Sequence, residues 1–116
     1  MEKNSLNKVI LIGRLGSKPE GRFTKNGRAV ASFSLATNEI LNLGQEAQSE
    51  AVEWHSLVVW DRLADFSIKH LTKGQLINVV GSLHTRSWED KLGVTHKKTE
   101  VFCSTITPLE WIKDGQ

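Results

Sequence analysis

The sequence lacks the features that mark a secreted, membrane-bound or disulfide-stabilised protein. Its 116 residues include one cysteine, Cys103, which has no partner for an intrachain disulfide and fits a reducing compartment. No apolar run approaches the roughly 20 residues that cross a membrane. The first residues, MEKNSLN, carry neither the apolar core of a signal peptide nor an Arg-rich presequence. We therefore expect a cytoplasmic protein without a membrane partner, and a mitochondrial location is less favoured.

Catalytic and metal-binding signatures are missing as well. The chain contains no GxSxG, GxxxxGK[ST] or GxGxxG motif. His55, His70, His84 and His96 show no close metal-ligand spacing, and Cys103 has no second thiol beside it. The acidic residues of the middle third show no motif that would gather carboxylates for metal-dependent cleavage. We expect a binding protein with no catalytic residue, metal or cofactor, and a nuclease is the enzymatic alternative.

Positive and negative charges nearly cancel over the whole chain, but they are unevenly distributed along it. The formal net charge is +2, whereas residues 1–28 carry +5, residues 29–65 carry −5 and residues 66–116 carry +2. Such asymmetry indicates a basic face of the kind that binds nucleic acid. Charges scattered over a solvated surface also fit these values.

The hydrophobic pattern predicts one domain over residues 1–116, with three strands, a short helix and two further strands. Alternating or β-branched apolar residues mark the strands, and a helical stripe marks the helix. The predicted strands are 7–15, 29–37, 52–60, 75–88 and 94–107, and the predicted helix is 61–71. This order indicates an all-β, five-stranded Greek-key oligonucleotide/oligosaccharide-binding (OB) barrel with one short α-helix between strands 3 and 4. A small sandwich or a different barrel also fits the pattern.

Turn, cap and loop signals separate these elements. Asn26 and Gly27 form a strong hairpin signal, because both residues tolerate positive φ. Asp61 is predicted to cap the start of the helix. Residues 38–51 are mostly polar without a sustained period, so we predict a long mobile loop. Residues 108–116 form a short C-terminal segment with no acidic tail, in which Trp111 is expected to pack.

Two tryptophans of the third predicted strand raise the question of a binding surface. Trp54 and Trp60 lie six residues apart and therefore project from the same face of a strand. Ser56 lies between them, whereas Leu57 and Val59 supply an apolar opposite face. The pattern favours an exposed aromatic platform, and a pair of core tryptophans is the alternative.

Trp88 makes the same case more strongly. It follows Arg86 on a polar face of its strand, while the opposite face carries the expected interior residues Ile77, Val79, Gly81 and Leu83. Unpaired bases stack on such rings for about 1–3 kcal/mol each, and nearby cations bind the phosphates. Each basic residue alone also fits a solvated surface charge. The candidate phosphate contacts on the flanking strands and loops are Lys8, Arg14, Arg22, Arg28, Arg62, Lys73, Arg86, Lys91, Lys97 and Lys98.

Five segments together resemble the bacterial-type single-stranded DNA-binding protein family, from about residue 7 to residue 109. They are NKVILIGRLGSKPE, NGRAVASFSLATNE, EWHSLVVWDRLAD, LTKGQLINVVGSLHTRSWED and KKTEV. The resemblance implies a homotetramer that binds single-stranded DNA without sequence preference in replication, recombination and repair. It implies base stacking on Trp54, Trp60 and Trp88, and subunit contacts through His55 and the first strand. The phosphate contacts that it implies are Lys8, Arg22, Arg62, Lys73 and Arg86.

The chain also departs from that family pattern. Ile40 and Leu41 stand where the family commonly has an aromatic base contact, and Trp60 stands where it often has phenylalanine. The sequence ends at WIKDGQ, without the flexible extension and acidic tip through which bacterial members recruit replication and repair proteins. Contacts with such proteins are therefore less strongly implied than DNA binding. The alternative is a primosome-type adaptor of the same fold, with secondary nucleic-acid binding.

Overall fold

The computed structural model describes residues 4–42, 44 and 48–111. Most of these residues are in strands, and one helix follows the fourth strand. The elements are β1 (Val9–Leu15), β2 (Glu20–Phe23), β3 (Ala29–Asn42), β4 (Gln48–Trp60), α1 (Asp61–His70), β5 (Leu76–Glu89) and β6 (Thr95–Pro108). Within the described ranges, no helix has the length and apolar character needed to span a membrane.

The strands form one sheet that closes on itself. Its hydrogen-bonded order is β1–β5–β6–β4–β3–β2, and the end of β1 also pairs with β3 at Arg14–Ala36 and Leu15–Leu35. A ring of five strands is thereby complete, with β2 added along β3. The pairing of β4 with β6 is parallel, and the other pairings are antiparallel. The predicted OB barrel is confirmed, including the helix between the third and fourth strands of the ring.

The core lies inside this ring and under α1. Alternation along β3 and β4 turns one face of each strand inward, so that Leu35, Leu57 and Val59 are fully buried. The helix adds Ala64, and the residue after it, Leu71, closes the same cluster. The buried apolar cluster consists of Leu15, Ala31, Phe33, Leu35, Leu57, Val59, Ala64, Leu71, Ile77, Val79, Val101 and Cys103.

The prediction of a mobile loop over residues 38–51 is wrong for 38–42 and 48–51. These residues extend β3 and β4 into a long hairpin whose register continues without a break as far as the pair Asn42–Gln48. Asn38, Glu39 and Ile40 are exposed on both faces of β3, so no apolar alternation marks this part of the strand. The remaining residues of the predicted loop, 43 and 45–47, lie outside the described residues, and Gly44 is described as a bend.

The predicted interior face of β5 is correct as far as Gly81, but the prediction that Leu83 is also buried is wrong. Ile77, Val79 and Gly81 are buried, but Leu83 is 49% exposed. The pairing of β5 with β6 shifts its register between Val80 and Gly81, as at a β-bulge. A Cβ at Gly81 would lie 2.3 Å from the carbonyl oxygen of Phe102, so the strands can approach this closely because position 81 has no side chain.

Candidate nucleic-acid interface

A groove with a volume of about 530 Å³ lies on the outer surface of the barrel, across β3, β4, β5 and β6. Ser34 of β3 and Ser56 of β4 are paired in register and line it with small polar side chains. Larger residues stand around them. The aromatic and basic residues that line the groove are Phe33, Trp60, Phe102, Arg22, Arg86 and Lys98, and its acidic residues are Glu20 and Glu100. The groove is therefore open, aromatic and mixed in charge.

A row of rings crosses the groove from β4 to β5. Trp60 is half-buried, and its ring centroid lies 6.1 Å from that of Phe102 in an edge-to-face arrangement. The ring of His84 stacks on the ring of Phe102, with 4.1 Å between the two centroids. Sequence reasoning missed Phe102. The signal was present in the alternation of β6, which places Phe102 on the same face as Lys98.

Trp88 stands on the outer part of the β5–β6 hairpin and is 42% exposed. The guanidinium carbon of Arg86 lies 4.7 Å from its ring centroid. The ring of His96, opposite it on β6, is stacked at a centroid distance of 5.5 Å. Asp90 Oδ2 lies 2.7 Å from His96 Nε2, and this hydrogen bond is the main cause that lowers the pKa of the Asp90 carboxyl. The predicted exterior position of Trp88 is confirmed.

Trp54 is 60% exposed on the same outer face as Ser56 and Trp60. It lies over Gly16, where an added Cβ would be 2.3 Å from a ring carbon, so that glycine leaves room for the indole. Ile40 and Val52 continue this face along the hairpin and are also exposed. The alternative in which Trp54 and Trp60 are both core residues is therefore wrong.

Two arginines beside these rings are bound to carboxylates. Arg28 has its guanidinium carbon 4.8 Å from the Trp60 centroid and donates from Nη2 to Asp61 Oδ2 at 2.9 Å. This hydrogen bond raises the pKa of Arg28 and lowers the pKa of Asp61. Arg86 donates from Nε to Glu100 Oε1, also at 2.9 Å. Both arginines thus combine a ring contact with an ion pair.

The pairing of Asp61 with Arg28 replaces the capping role that the sequence predicts for Asp61. The N-cap residue of α1 is Trp60, and Asp61 is the first helical residue. Asp61 has a φ of 56°, a left-handed conformation that aspartate tolerates better than most residues. The prediction of an Asp61 cap is wrong, and its carboxylate serves Arg28 at the edge of the groove.

The five-stranded barrel agrees with the comparisons with known proteins. A family model described as the single-strand binding protein family matches residues 6–109. The chain belongs to this family. It is 43% identical over 105 residues to single-stranded DNA-binding protein 1 of Chlorobaculum tepidum, an alignment that covers 90% of this chain. The chain spans 65% of the length of that curated relative.

A solved structure of the family has the same fold. The chain is similar to a Plasmodium falciparum SSB in complex with single-stranded DNA, with a TM-score of 0.84 and 37% identity. The match covers 95% of this chain and 100% of the other. The resemblance found in the sequence segments is therefore confirmed at the level of family and fold.

The other predicted phosphate contacts are less close to the groove. Arg14 shares the outer face with Ala36, but it donates to the Gly74 carbonyl at 3.0 Å and pairs with Glu110. Lys97 lies opposite Ser87, on the reverse face of the β5–β6 hairpin from Lys98. The remaining members are exposed outside the groove lining, namely Lys8 before β1, Arg62 in α1, Lys73 after α1 and Lys91 in the β5–β6 turn. Their contact with DNA stays a prediction.

His55 and Trp111 occupy different surroundings from the aromatic row. His55 is half-buried on the inward face of β4, and its Nε2 lies 2.9 Å from Thr37 Oγ1. Its predicted subunit contact is untested. Trp111 is 63% exposed, with its centroid 6.4 Å from that of His70, so the expectation of a packed side chain is wrong.

Neither a metal-ligand cluster nor a reactive thiol is found among the described residues. Residues 4–42, 44 and 48–111 contain no group of three or more His, Cys, Asp or Glu that could hold a metal ion. Burial raises the pKa of the Cys103 thiol to about 12, so this cysteine stays protonated and unreactive at neutral pH.

Proposed function

We propose that this protein binds single-stranded DNA without sequence preference, with bases stacked on Trp54, Trp60 and Trp88. The observation that carries the proposal is the position of these rings on the outer face of their strands, where arginines lie over Trp60 and Trp88. The relatives support it, since the Chlorobaculum tepidum protein is named a single-stranded DNA-binding protein and the Plasmodium falciparum SSB was solved with single-stranded DNA.

The physical basis is the combination of stacking with phosphate neutralisation. Every base has a flat π face, so an indole contributes about 1–3 kcal/mol per stacked base with little regard to sequence. Arg22, Arg86 and Lys98 line the groove and bind the phosphate backbone. Cations that were condensed on the DNA are then released, and affinity falls as the salt concentration rises.

We propose that the protein acts as a homotetramer that protects single strands in replication, recombination and repair. Ile10 and Ile12 are exposed on the outer face of β1, and Val80 of β5 lies beside Ile10 in register. An exposed apolar patch of this kind supports association with another copy through the first strand. His55 is proposed to contribute to subunit contacts. The molecular mass in solution, with and without long oligo-dT, tests the assembly.

A second candidate is an OB-fold adaptor of the primosome type, in which nucleic-acid binding is secondary. One observation favours it: Arg28 and Arg86 are already paired with carboxylates, which reduces the free positive charge beside the rings. Equal affinity for duplex and single-stranded DNA, or a stable dimer in solution, would support the adaptor.

The decisive experiment is titration of the protein with oligo-dT at low salt while its tryptophan fluorescence is recorded. Stacked bases quench indole emission, so we expect strong quenching that added salt reverses. Duplex DNA of the same length is the matched control and should quench weakly. Unchanged emission with oligo-dT at low salt would rule out the stacking surface.

A further inference from the structure

Two of the proposed stacking rings are already in contact with arginines that carboxylates hold in place. Arg28 lies over Trp60 and is bound to Asp61, and Arg86 lies over Trp88. A guanidinium over an indole uses part of the same π surface on which a base would stack. A base that is to stack fully on either ring must therefore displace the arginine or share the ring with it.

Glu100 is the more constrained of the two carboxylates. It is 7% exposed, lines the groove, and accepts a hydrogen bond from Arg86 Nε. A buried carboxylate is costly unless it is paired, so Arg86 stabilises Glu100 in the free protein. In a groove that takes phosphates, the same negative charge repels the ligand. The side chain of Arg86 is mostly exposed to solvent, whereas that of Glu100 is buried in the wall of the groove.

Asp61 forms the second, more exposed pair. Both Arg28 and Asp61 have exposed side chains, and their contact joins the β2–β3 hairpin to the start of α1. The left-handed backbone of Asp61 is a conformation that persists where surrounding structure supports it. The two pairs share one arrangement, in which an arginine lies over a tryptophan and also binds a carboxylate.

We propose that Asp61 and Glu100 are positioning residues that hold Arg28 and Arg86 on the tryptophans until DNA binds. This inference rests on the proposed base stacking. When a strand enters, each arginine exchanges its carboxylate for a phosphate, and a base takes its place on the ring. The carboxylates act as internal competitors of the phosphates, so they lower the affinity for single strands and keep the rings covered in the free protein.

The first test is Glu100→Gln, which keeps the shape of the side chain and removes its charge. We expect the affinity for oligo-dT, measured by fluorescence quenching at low salt, to rise about five-fold, because the carboxylate charge that competes with the phosphates for Arg86 is gone. Asp61→Asn should raise it about two-fold, since that pair is exposed. Glu20→Gln is the matched control. Glu20 lines the same groove but belongs to none of the ion pairs seen among the described residues, so its change should be smaller.

A double-mutant cycle separates this exchange from plain charge repulsion. If Glu100 acts through Arg86, Glu100→Gln should have little effect on affinity in an Arg86→Gln background. A full five-fold gain in affinity in the Arg86→Gln background would overturn the inference. So would the absence of any gain in both the wild-type and the Arg86→Gln backgrounds. If the Glu100 variants fail to fold, a second double-mutant cycle on the exposed Arg28–Asp61 pair, with Asp61→Asn and Arg28→Gln, tests the same inference. A wild-type protein that neither binds nor is quenched by oligo-dT would overturn the proposed function itself.

Discussion

The closed barrel and the outer ends of its two long hairpins differ in what surrounds their side chains. In the barrel, β3, β4 and β5 bury one face completely, as at Leu57 and Val79. In the hairpin ends, which we define as residues 38–42 with 48–53 and residues 83–89 with 95–99, most described side chains on both faces are exposed. The barrel is stabilised by apolar burial, whereas the hairpin ends rely on strand pairing and contacts between neighbouring side chains.

The proposed DNA surface uses both regions, and this separates stability from binding. Trp60 is half-buried in the barrel wall against Phe102, so it contributes to both. Trp88 belongs to a hairpin end, where it contacts Arg86 and His96 but no core residue of the buried cluster. Substitutions in the two regions should therefore have different consequences, and four experiments test this difference.

The largest effect is expected in the barrel. Leu57→Ala removes a fully buried side chain and leaves a cavity, so the free energy of unfolding should fall by about 2–5 kcal/mol. Val52→Ala, in the same strand but in a hairpin end, should lower it by less than about 1 kcal/mol. Urea denaturation monitored by circular dichroism measures both. Equal losses for the two variants would show that the hairpin end is as tightly packed as the barrel.

The next effect concerns binding rather than folding. Trp88→Ala should cost about 1–3 kcal/mol of affinity for oligo-dT, while the free energy of unfolding changes little. Trp60→Ala should reduce both, because its ring also packs against Phe102. Trp111→Ala, which removes an exposed indole outside the groove lining, is the control and should leave affinity unchanged. A Trp88→Ala protein that unfolds but binds normally when folded would contradict the assignment of Trp88 to a binding face.

A smaller effect distinguishes the two faces of one hairpin end. Lys98 lines the groove, and its neighbour Lys97 points to the reverse face. Lys98→Ala should lower affinity and reduce the slope of log affinity against log salt by about 0.7, the value for one lost phosphate contact on a single strand. Lys97→Ala has the same charge change and should leave the slope nearly unchanged. Equal changes in slope would mean that DNA contacts both faces.

Sequence reasoning succeeded where one face of a strand is buried. In β4 the alternation of Leu57 and Val59 with Ser56 indicated the inward face. It failed at the outer end of the β3–β4 hairpin, where the exposed residues Asn38, Glu39 and Ile40 leave no period to read. Residues 38–42 were therefore assigned to a loop, although their backbone pairs with β4 throughout.

The candidate site was predictable in its rings but not in its ion pairs. Trp54 and Trp88 follow from alternation within single strands. Arg28 and Asp61, 33 residues apart, meet because the β3–β4 register places Val30 opposite Trp60, and that register could not be read from the sequence. Glu100 is a polar residue in an otherwise ordinary strand, and its burial follows from the groove around it rather than from any local pattern.

The smallest expected effect is a pH dependence confined to a hairpin end. The hydrogen bond from His96 keeps the pKa of Asp90 below its ordinary value of 3.8, so this contact stabilises the folded state above that pH. The contribution should be lost as the pH falls through the lowered pKa of the folded state. Nuclear magnetic resonance shifts of the Trp88 indole should report the loss near residues 88–96, while the barrel signals of Leu57 and Val79 stay constant. In Asp90→Asn this acid-dependent shift should disappear. If the acid-dependent shift of the Trp88 indole persists in Asp90→Asn, another group causes it. If the barrel signals shift over the same pH range, the hairpin end and the barrel respond to acid as one unit.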